Sequence, residues 1–380
     1  VRWYNLVAYG AGDMYGGGSF VVISLLFLFF LTDVAGLRPA LAAAVVSVGR
    51  IFDAVTDPLM GYISDSTRSR LGRRRVYFLV GIVPVAVSFA ALWYPAAFET
   101  QWGLFAYYAG AYVLFSAVYT LVMVPYSALP AEMTTDFRIR GRLSGARLIG
   151  GQASTLAAAV VPNLLIDLGG GGSGDGYFAM GMIFGVVYAL PWILVFFGTW
   201  ELPSEGSSPS GSVRAYMRRV GNMFQSRTFR AHMLVYIFCY SAIDLLITVF
   251  TFFVTYSVGR PDAYFLALGA RLVSQLVFIP VHTWIGNRIG KAASVRIGLV
   301  AWAIAITLVA LLVDSQTPTP LIMVLAALVG TGTSAAVLVP WSMLPTTTDV
   351  GELMSGSRQP GAHAGAMTFF RKGANGLIVA

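Results

Sequence analysis

Two aspartates lie one helical turn apart in a stretch of the sequence that is otherwise mostly apolar. Asp53 and Asp57 are four residues apart, so a helix places them on one face, with Thr56 beside them. Two neighbouring carboxylates repel each other unless a positive group lies between them. Carboxylate and hydroxyl oxygens are also the ligands that hard cations prefer. The pattern predicts a site for Na⁺ or a proton; the alternative is a static ion pair between Arg50 and Asp53.

Further charged residues interrupt apolar stretches, where a charge is costly and therefore usually functional. Arg147 and Lys372 lie one in each half of the chain, which predicts two cations in a central cavity. Asp244 has no obvious partner in the sequence. The other residues of this kind are Asp13, Arg271 and His282.

The composition is that of a helical membrane protein. The 380 residues are 57% hydrophobic, and only 11% are Asp, Glu, Lys or Arg. That is too little charge to cover a water-facing surface of this size. A soluble enzyme, a disordered chain and a nucleic-acid-binding domain are therefore excluded. The single cysteine, Cys239, excludes a disulfide framework, and three scattered histidines predict no metal cluster.

Windows of about 20 mostly apolar residues predict ten spanning helices and the start of an eleventh. The arginines concentrate in the loops after spans 2, 4, 6 and 8, whereas the alternate loops hold few. The positive-inside rule therefore places those loops and the N-terminus in the cytoplasm, in an inner or plasma membrane. The predicted spans are 4–31, 40–64, 76–95, 102–129, 143–167, 177–199, 231–257, 263–287, 293–313 and 319–344, and the eleventh begins near Ala362.

The two halves of the chain resemble each other. Residues 124–130, Val-Pro-Tyr-Ser-Ala-Leu-Pro, end span 4, and residues 339–345, Val-Pro-Trp-Ser-Met-Leu-Pro, end span 10, 215 residues later. Gly72 after span 2 and Gly290 after span 8 are a second pair, 218 residues apart. Because both halves begin on the same side of the membrane, the repeat is parallel. Major-facilitator transporters have this arrangement, with a central cavity between two bundles.

The repeat predicts the domain organisation. We expect an all-α, polytopic membrane protein of the major-facilitator fold with two six-helix halves. The first covers residues 1–200 and the second 231–380, and a polar cytoplasmic linker covers 201–230. By the same repeat, a twelfth span is expected after the eleventh.

Several motifs of the chain resemble those of a known family. Residues 50–61, Arg-Ile-Phe-Asp-Ala-Val-Thr-Asp-Pro-Leu-Met-Gly, and residues 67–73, Thr-Arg-Ser-Arg-Leu-Gly-Arg, resemble the signature of glycoside–pentoside–hexuronide:cation symporters. Residues 349–352, Asp-Val-Gly-Glu, also fit. The Val-Pro-Tyr-Ser and Pro-Trp-Ser-Met strings are similar to the sodium-dependent lysophospholipid symporters of the same superfamily.

The resemblance implies cation-coupled symport of a sugar or glycoside by alternating access. It implies cation ligands at Asp53 and Asp57 on span 2 and at Thr120 on span 4, and Thr56 stands where the family's sugar carriers have Asn. It also favours Lys372 as a cavity residue. The adjacent Arg371 would then lie elsewhere, because neighbouring helical residues point about 100° apart.

The sugar site departs from the family pattern. Family carboxylates on spans 1 and 4 correspond to Gly17 and Met123, and a stacking Trp corresponds to Ser127. The family's bidentate carboxylate contacts to sugar hydroxyls therefore cannot be made in the same way here. A sugar or glycoside is the expected substrate, and a lysolipid is the alternative. We assign to the substrate cavity Asp13, Arg147, Lys372, Tyr119, Met123, Ser127 and Trp341, and to a cytoplasmic gating motif Asp65, Arg68, Gly72 and Arg73.

A membrane-embedded enzyme or receptor is the alternative from a different class. An enzyme would need a nucleophile–base or metal cluster, which the sequence does not offer. The sequence has no ATP-binding motif either, so an ion gradient is the expected source of energy. We expect no cofactor apart from the coupling ion, Na⁺ or H⁺. The expected partners are a small-molecule substrate, the coupling cation and the lipid bilayer, without nucleic acid, and the protein is expected to be a monomer.

Overall fold

The computed structural model describes residues 1–202, 218, 220–254, 258–259, 261–355 and 359–379, and within this part every regular element is a helix. The helices follow the predicted spans. Spans 3 to 10 each contain a described helix that is long and apolar enough to cross a membrane. The helices of spans 2 to 11 cover Pro39–Ser66, Arg75–Leu92, Gln101–Ala128, Phe137–Leu168, Gly174–Gly198, Arg227–Phe252, Pro261–Ile289, Lys291–Leu312, Thr319–Ser355 and Pro360–Val379.

Span 1 is divided into segments of different helical pitch. It is α-helical over Trp3–Ala11 and Asp13–Val22 and then contains π-helical turns at Ile23–Phe27 and Phe30–Val34. Hydropathy predicts one continuous segment here. π-helical turns leave the apolar character of a segment unchanged and are frequent at functional sites. Span 1 is thus irregular in the part of the helix that follows Asp13.

Several spans begin at a side chain that caps the helix. The Asp136 carboxylate accepts hydrogen bonds from the backbone N–H groups of Arg138 and Ile139, and span 5 begins at the next residue, Phe137. The Ser226 hydroxyl accepts from the N–H of Phe229 at the start of span 7. Such caps satisfy N–H groups that have no partner within the helix. They explain why these helices begin a few residues before the predicted apolar windows.

The buried side chains form separate cores along the chain. The largest cluster takes all of its members from residues 9–196 and is rich in aromatic rings, among them Phe89, Trp93 and Trp192. A second cluster consists mainly of residues from spans 7 to 11, and Ala128 and Leu148 of the first half join it. The predicted linker is described only in part, since residues 203–217 and 219 lie outside the described part of the chain. The division into 1–200, 201–230 and 231–380 therefore stays a prediction.

Spans 1 and 5 touch through their backbones. A Cβ atom added at Gly10 would lie 2.5 Å from the carbonyl oxygen of Ala146, and one added at Gly17 would collide with the carbonyl of Gly151. Gly150 has the same relation to the carbonyl of Gly10. Small residues allow such close approach between membrane helices. The glycines of span 1 therefore serve helix packing, and they bring Asp13 close to span 5.

We expect Gly10→Ala to destabilise the protein by about 1–3 kcal/mol, because the added methyl group forces these two backbones apart. The melting temperature of the purified protein in detergent measures the effect. Gly110→Ala on span 4 is the matched control, since nothing lies within 4 Å of its added Cβ. An equal loss in both variants would show that the tight contact does not carry the effect.

Candidate functional site

A buried carboxylate and a buried hydroxyl meet between spans 2 and 4. Asp57 and Thr120 are each 2% exposed, and the Thr120 hydroxyl donates a hydrogen bond of 2.9 Å to Asp57 Oδ1. Span 11 passes close by, because a Cβ added at Gly365 would lie 2.9 Å from the carbonyl oxygen of Asp57. The structure thus brings together two of the predicted cation ligands. The side chain of Asp53 lies outside the described residues, so its place in this site stays a prediction.

Thr56 lies beside Asp57 on span 2 and is partly buried. Its hydroxyl donates a hydrogen bond of 3.1 Å to the carbonyl oxygen of Phe52, one turn earlier in the same helix. A hydroxyl oxygen that donates a hydrogen bond is still of the donor type that hard cations bind. The role of Thr56 as a ligand stays a prediction.

A second pair of charges connects spans 1 and 5. Arg147 Nε lies 2.9 Å from Asp13 Oδ1, and both side chains are buried. The guanidinium lies between two aromatic rings, with its Cζ 5.0 Å from the ring centre of Tyr126 and 4.1 Å from that of Trp341. Since Trp341 is on span 10, Arg147 bridges the two halves of the chain. Both residues were assigned to the cavity from the sequence.

Three further residues of span 4 are predicted cavity residues, and one of them, Met123, lies near this pair. The Met123 methyl group packs against Gly16, next to the Asp13 carboxylate, and Ser127 is buried. The Tyr119 ring packs against Phe20 of span 1 with ring centres 4.7 Å apart. Met123 therefore lies beside the Asp13–Arg147 ion pair, whereas Tyr119 lies among the aromatic rings of the first half.

The second half contributes Trp341 and its neighbours. The indole N–H of Trp341 donates a hydrogen bond of 2.7 Å to the hydroxyl of Tyr240 on span 7. The guanidinium of Arg371 lies over the Tyr240 ring, with its Cζ 4.1 Å from the ring centre. The side chain of Lys372 lies outside the described residues, and its position in the cavity stays a prediction. Arg371 is the neighbouring cation that the sequence analysis places outside the cavity. In the structure, Arg371 is the residue that contacts Tyr240.

The loop after span 2 is organised around a fully buried arginine. Arg74 Nη2 lies 2.6 Å from Asp65 and 2.9 Å from Glu132, and Arg73 also forms an ion pair with Glu132. Burial by itself lowers the pKa of the Arg74 guanidinium, but the two carboxylates outweigh it and raise that pKa above its usual value. Arg74 is therefore a permanent charge that ties this loop to the end of span 4.

Glu201 caps the same loop from the end of the first half. Its carboxylate accepts hydrogen bonds of 2.8–2.9 Å from the backbone N–H groups of Arg73, Arg74 and Arg75. Gly72 precedes them with a φ of +102°, a conformation that glycine adopts readily. Of the predicted gating motif, Asp65, Gly72 and Arg73 belong to this cluster, whereas Arg68 is exposed.

Sequence reasoning missed Arg74, Glu132 and Glu201 as members of this cluster. Glu132 and Glu201 are isolated acidic residues next to apolar spans, and a search for partners of the five loop arginines would have singled them out. Glu201 was counted instead as the first residue of the linker. The structure packs this point of the chain, since the N–H of Leu202 donates a hydrogen bond of 2.9 Å to the carbonyl of Glu132.

The two halves meet at the end of the bundle that carries the arginine-rich loops. Asp65 accepts hydrogen bonds of 3.0 Å from the N–H groups of Gly361 and Ala362, in the first turn of span 11. Arg140 of span 5 forms an ion pair with Asp349 of span 10. A carboxylate at a helix N-terminus is stabilised by the free N–H groups and by the helix dipole. The halves are thus joined at this end by charged and polar contacts.

A family model described as "MFS/sugar transport protein" matches residues 8–380. The chain belongs to this family. It is similar to the sodium-dependent lysophosphatidylcholine symporter 1-A of Danio rerio, with 27% identity over 87% of this chain and 67% of that protein. It is also similar to the glucuronide carrier protein homolog of Escherichia coli, with 26% identity over 98% of this chain and 80% of that one.

The fold agrees with the family. The structure of the proton:xylose symporter XylE bound to 6-bromo-6-deoxy-D-glucose matches with a TM-score of 0.71 and 18% identity, over 99% of this chain and 86% of that one. The prediction of an all-α membrane protein with the major-facilitator fold is therefore confirmed. The MFS/sugar transport family is a family of membrane transporters, so the arrangement of charges around Asp57 and Arg147 lies in a transport protein.

Proposed function

We propose that this protein is a cation-coupled symporter that carries a sugar or glycoside across the membrane by alternating access. The observation that supports it best is the contact between Asp57 and Thr120 inside the helical bundle. A carboxylate and a hydroxyl are the oxygen donors that Na⁺ prefers, and a buried carboxylate is equally able to take up a proton. Binding of the cation at this point would neutralise a charge that is costly inside the membrane.

The contacts between the halves support the alternating-access part of the proposal. The Arg140–Asp349 ion pair and the hydrogen bonds from span 11 to Asp65 hold the bundle closed at the end with the arginine-rich loops. These contacts are polar, so water compensates for much of their loss when the halves separate. Opening at this end requires that they break together, as expected for a gate.

The site between the halves supports a polyhydroxylated substrate. Arg147 and Asp13 supply charged hydrogen-bond donors and acceptors, and Tyr126 and Trp341 supply aromatic faces beside them. A lysophospholipid is the second candidate, because the Danio rerio relative is named for one and matches 87% of this chain. Both candidates assign the same coupling role to Asp57.

Uptake into liposomes that contain the purified protein tests the proposal. An inward gradient of Na⁺ or of protons is applied, with labelled methyl β-glucoside, methyl β-glucuronide and lysophosphatidylcholine as probes. We expect one of the two gradients to drive accumulation of a sugar probe. Accumulation of lysophosphatidylcholine alone would favour the second candidate, and no response of any probe to either gradient would contradict symport.

The orientation in the membrane is part of the proposal. We place the loop after span 2 in the cytoplasm of a cell with a bacterial-type inner membrane or a plasma membrane, because it carries five arginines. In a Cys239→Ser background, we expect Ser69→Cys to resist an impermeant thiol reagent added to intact cells. Ser315→Cys, in the exposed loop after span 9, is the matched control and should be labelled. The reverse pattern would invert the topology.

A further inference from the structure

The two halves of the chain carry similar sets of charged and aromatic side chains. Span 1 carries Tyr9 and Asp13, and span 7 carries Tyr240 and Asp244, so the first helix of each half has a tyrosine four residues before an aspartate. The partner spans agree with this, because Arg147 on span 5 has a counterpart on span 11. Span 11 carries two adjacent cations, Arg371 and Lys372, and the contacts of Arg371 identify it as a member of the substrate site.

The counterpart of Arg147 is Arg371. Its guanidinium lies over the Tyr240 ring, with its Cζ 4.1 Å from the ring centre, and Asp244 follows Tyr240 by one turn of span 7. In the first half, the guanidinium of Arg147 pairs with Asp13 of span 1 and lies over the ring of Tyr126, which is on span 4. Each half thus supplies one arginine, one aspartate and at least one aromatic ring.

The two sets of residues are in contact with each other. Arg147 lies 4.1 Å from the ring centre of Trp341, whose indole N–H donates to the Tyr240 hydroxyl at 2.7 Å. The ring of that tyrosine is the one below Arg371. Tyr236 completes the second set, with its ring centre 4.9 Å from that of Tyr240. An unbroken series of side chains therefore connects the two guanidinium groups across the boundary between the halves.

We propose that Arg371, Asp244 and Tyr240 form the second arm of the substrate site, and that the substrate bridges this arm and the arm formed by Arg147 and Asp13. The inference rests on the proposed function, since it concerns the same transported substrate. It assigns substrate contact to Arg371, which the family resemblance left outside the cavity.

The chemistry of the two arms identifies the class of substrate. A guanidinium presents a planar fork of donors that fits two adjacent hydroxyl oxygens, and a carboxylate accepts from two adjacent hydroxyl groups. Aromatic faces such as that of Trp341 offer apolar surface to the C–H face of a sugar ring. Each arm combines one positive and one negative group, so the pair of arms carries no net charge. This balance favours a neutral polyhydroxylated ring over an anionic one.

Kinetics of uptake into liposomes tests the second arm, with methyl β-glucoside and methyl β-glucuronide as a pair of probes that differ in one charged group. We expect the wild-type protein to have the lower KM for the neutral glucoside. Arg371→Gln should raise that KM by about tenfold, because a charge-assisted hydrogen bond to the substrate is lost. The concentration of cation that gives half-maximal uptake should stay unchanged. Arg371→Lys, which keeps the charge but loses the fork, should restore only part of the affinity.

Arg288→Gln is the matched control. Arg288 also lies over a ring of its own half, with its Cζ 5.1 Å from the centre of Trp284, but it is exposed. We expect its KM to equal that of the wild type. Tyr240→Phe removes only the hydroxyl that accepts from Trp341, and it should raise the KM less while preserving the melting temperature. If Arg371→Gln fails to fold, the KM of Tyr240→Phe decides whether the second arm contacts the substrate.

The outcomes separate the two levels of the proposal. A wild-type protein without gradient-driven uptake of any probe contradicts the proposed function. Normal wild-type uptake, combined with an unchanged KM in Arg371→Gln or, if that variant does not fold, in Tyr240→Phe, contradicts only the second arm. A lower KM for the glucuronide than for the glucoside overturns the assignment to a neutral substrate.

Discussion

We expect Asp57→Asn to abolish accumulation driven by a cation gradient while the protein stays folded. The amide that replaces the carboxylate has no negative charge to offset that of Na⁺ and no site for a coupling proton, so the effect should exceed about 100-fold. The amide oxygen still accepts the hydrogen bond from Thr120, which preserves the local packing between spans 2 and 4. Uptake into liposomes with and without the gradient measures the loss.

The matched control is Asp33→Asn, which makes the same chemical change at an exposed aspartate of span 1. It should accumulate substrate like the wild type. In Asp57→Asn, thermal stabilisation by the cation should disappear, since a ligand stabilises only the state that binds it. Accumulation that remains as strong and as cation-dependent as in the wild type would remove Asp57 from the coupling site.

Arg74→Gln should cost about 3–5 kcal/mol of stability, because it leaves the buried carboxylates of Asp65 and Glu132 without their shared positive partner. Loss of the guanidinium also frees the loop that Glu201 caps. We expect a large fall in the melting temperature in detergent and a low yield of folded protein.

Arg70→Gln provides the comparison, since Arg70 lies in the same loop but is exposed. Exposed charges contribute little to stability, so this variant should melt like the wild type. If Arg74→Gln is equally stable, the buried cluster is not a main support of the fold. A double variant, Arg74→Gln with Asp65→Asn, should recover part of the loss, because Arg73 still pairs with Glu132 and Asp65 is the carboxylate that loses its ion pair.

Hydropathy and the arginine distribution predict most of the fold, and the differences have physical causes. Span 10 is predicted to end at 344, but its helix continues through Pro345 to Ser355. About half of the added residues are polar, and among them Thr347 and Thr348 are buried, so packing extends the helix beyond the apolar window. The π-helical turns of span 1 escape prediction because a change of pitch leaves the hydropathy of a segment unchanged.

The contacts of the candidate site could be predicted only in part. The contact of Asp57 with Thr120 agrees with roles that the family resemblance implied, although the sequence alone fixed neither the distance nor the burial. The contact of Arg371 with Tyr240 depends on how spans 7 and 11 are rotated towards each other. A single sequence contains no measure of this rotation. The role of Arg74 was hidden for another reason, since five arginines in one loop are all explained by membrane topology.

The glycine contacts between spans 1 and 5 have a consequence for the transport cycle. Spans 1 and 5 touch through their backbones at Gly10, Gly17, Gly150 and Gly151, so in the proposed alternating-access cycle we expect them to move together as one rigid unit. Asp13 and Arg147 both belong to this unit, so we expect their ion pair to persist while the halves tilt. The first arm of the proposed substrate site would then be preassembled in both orientations of the protein. Differences in substrate affinity between the two orientations must then arise from the opposite half.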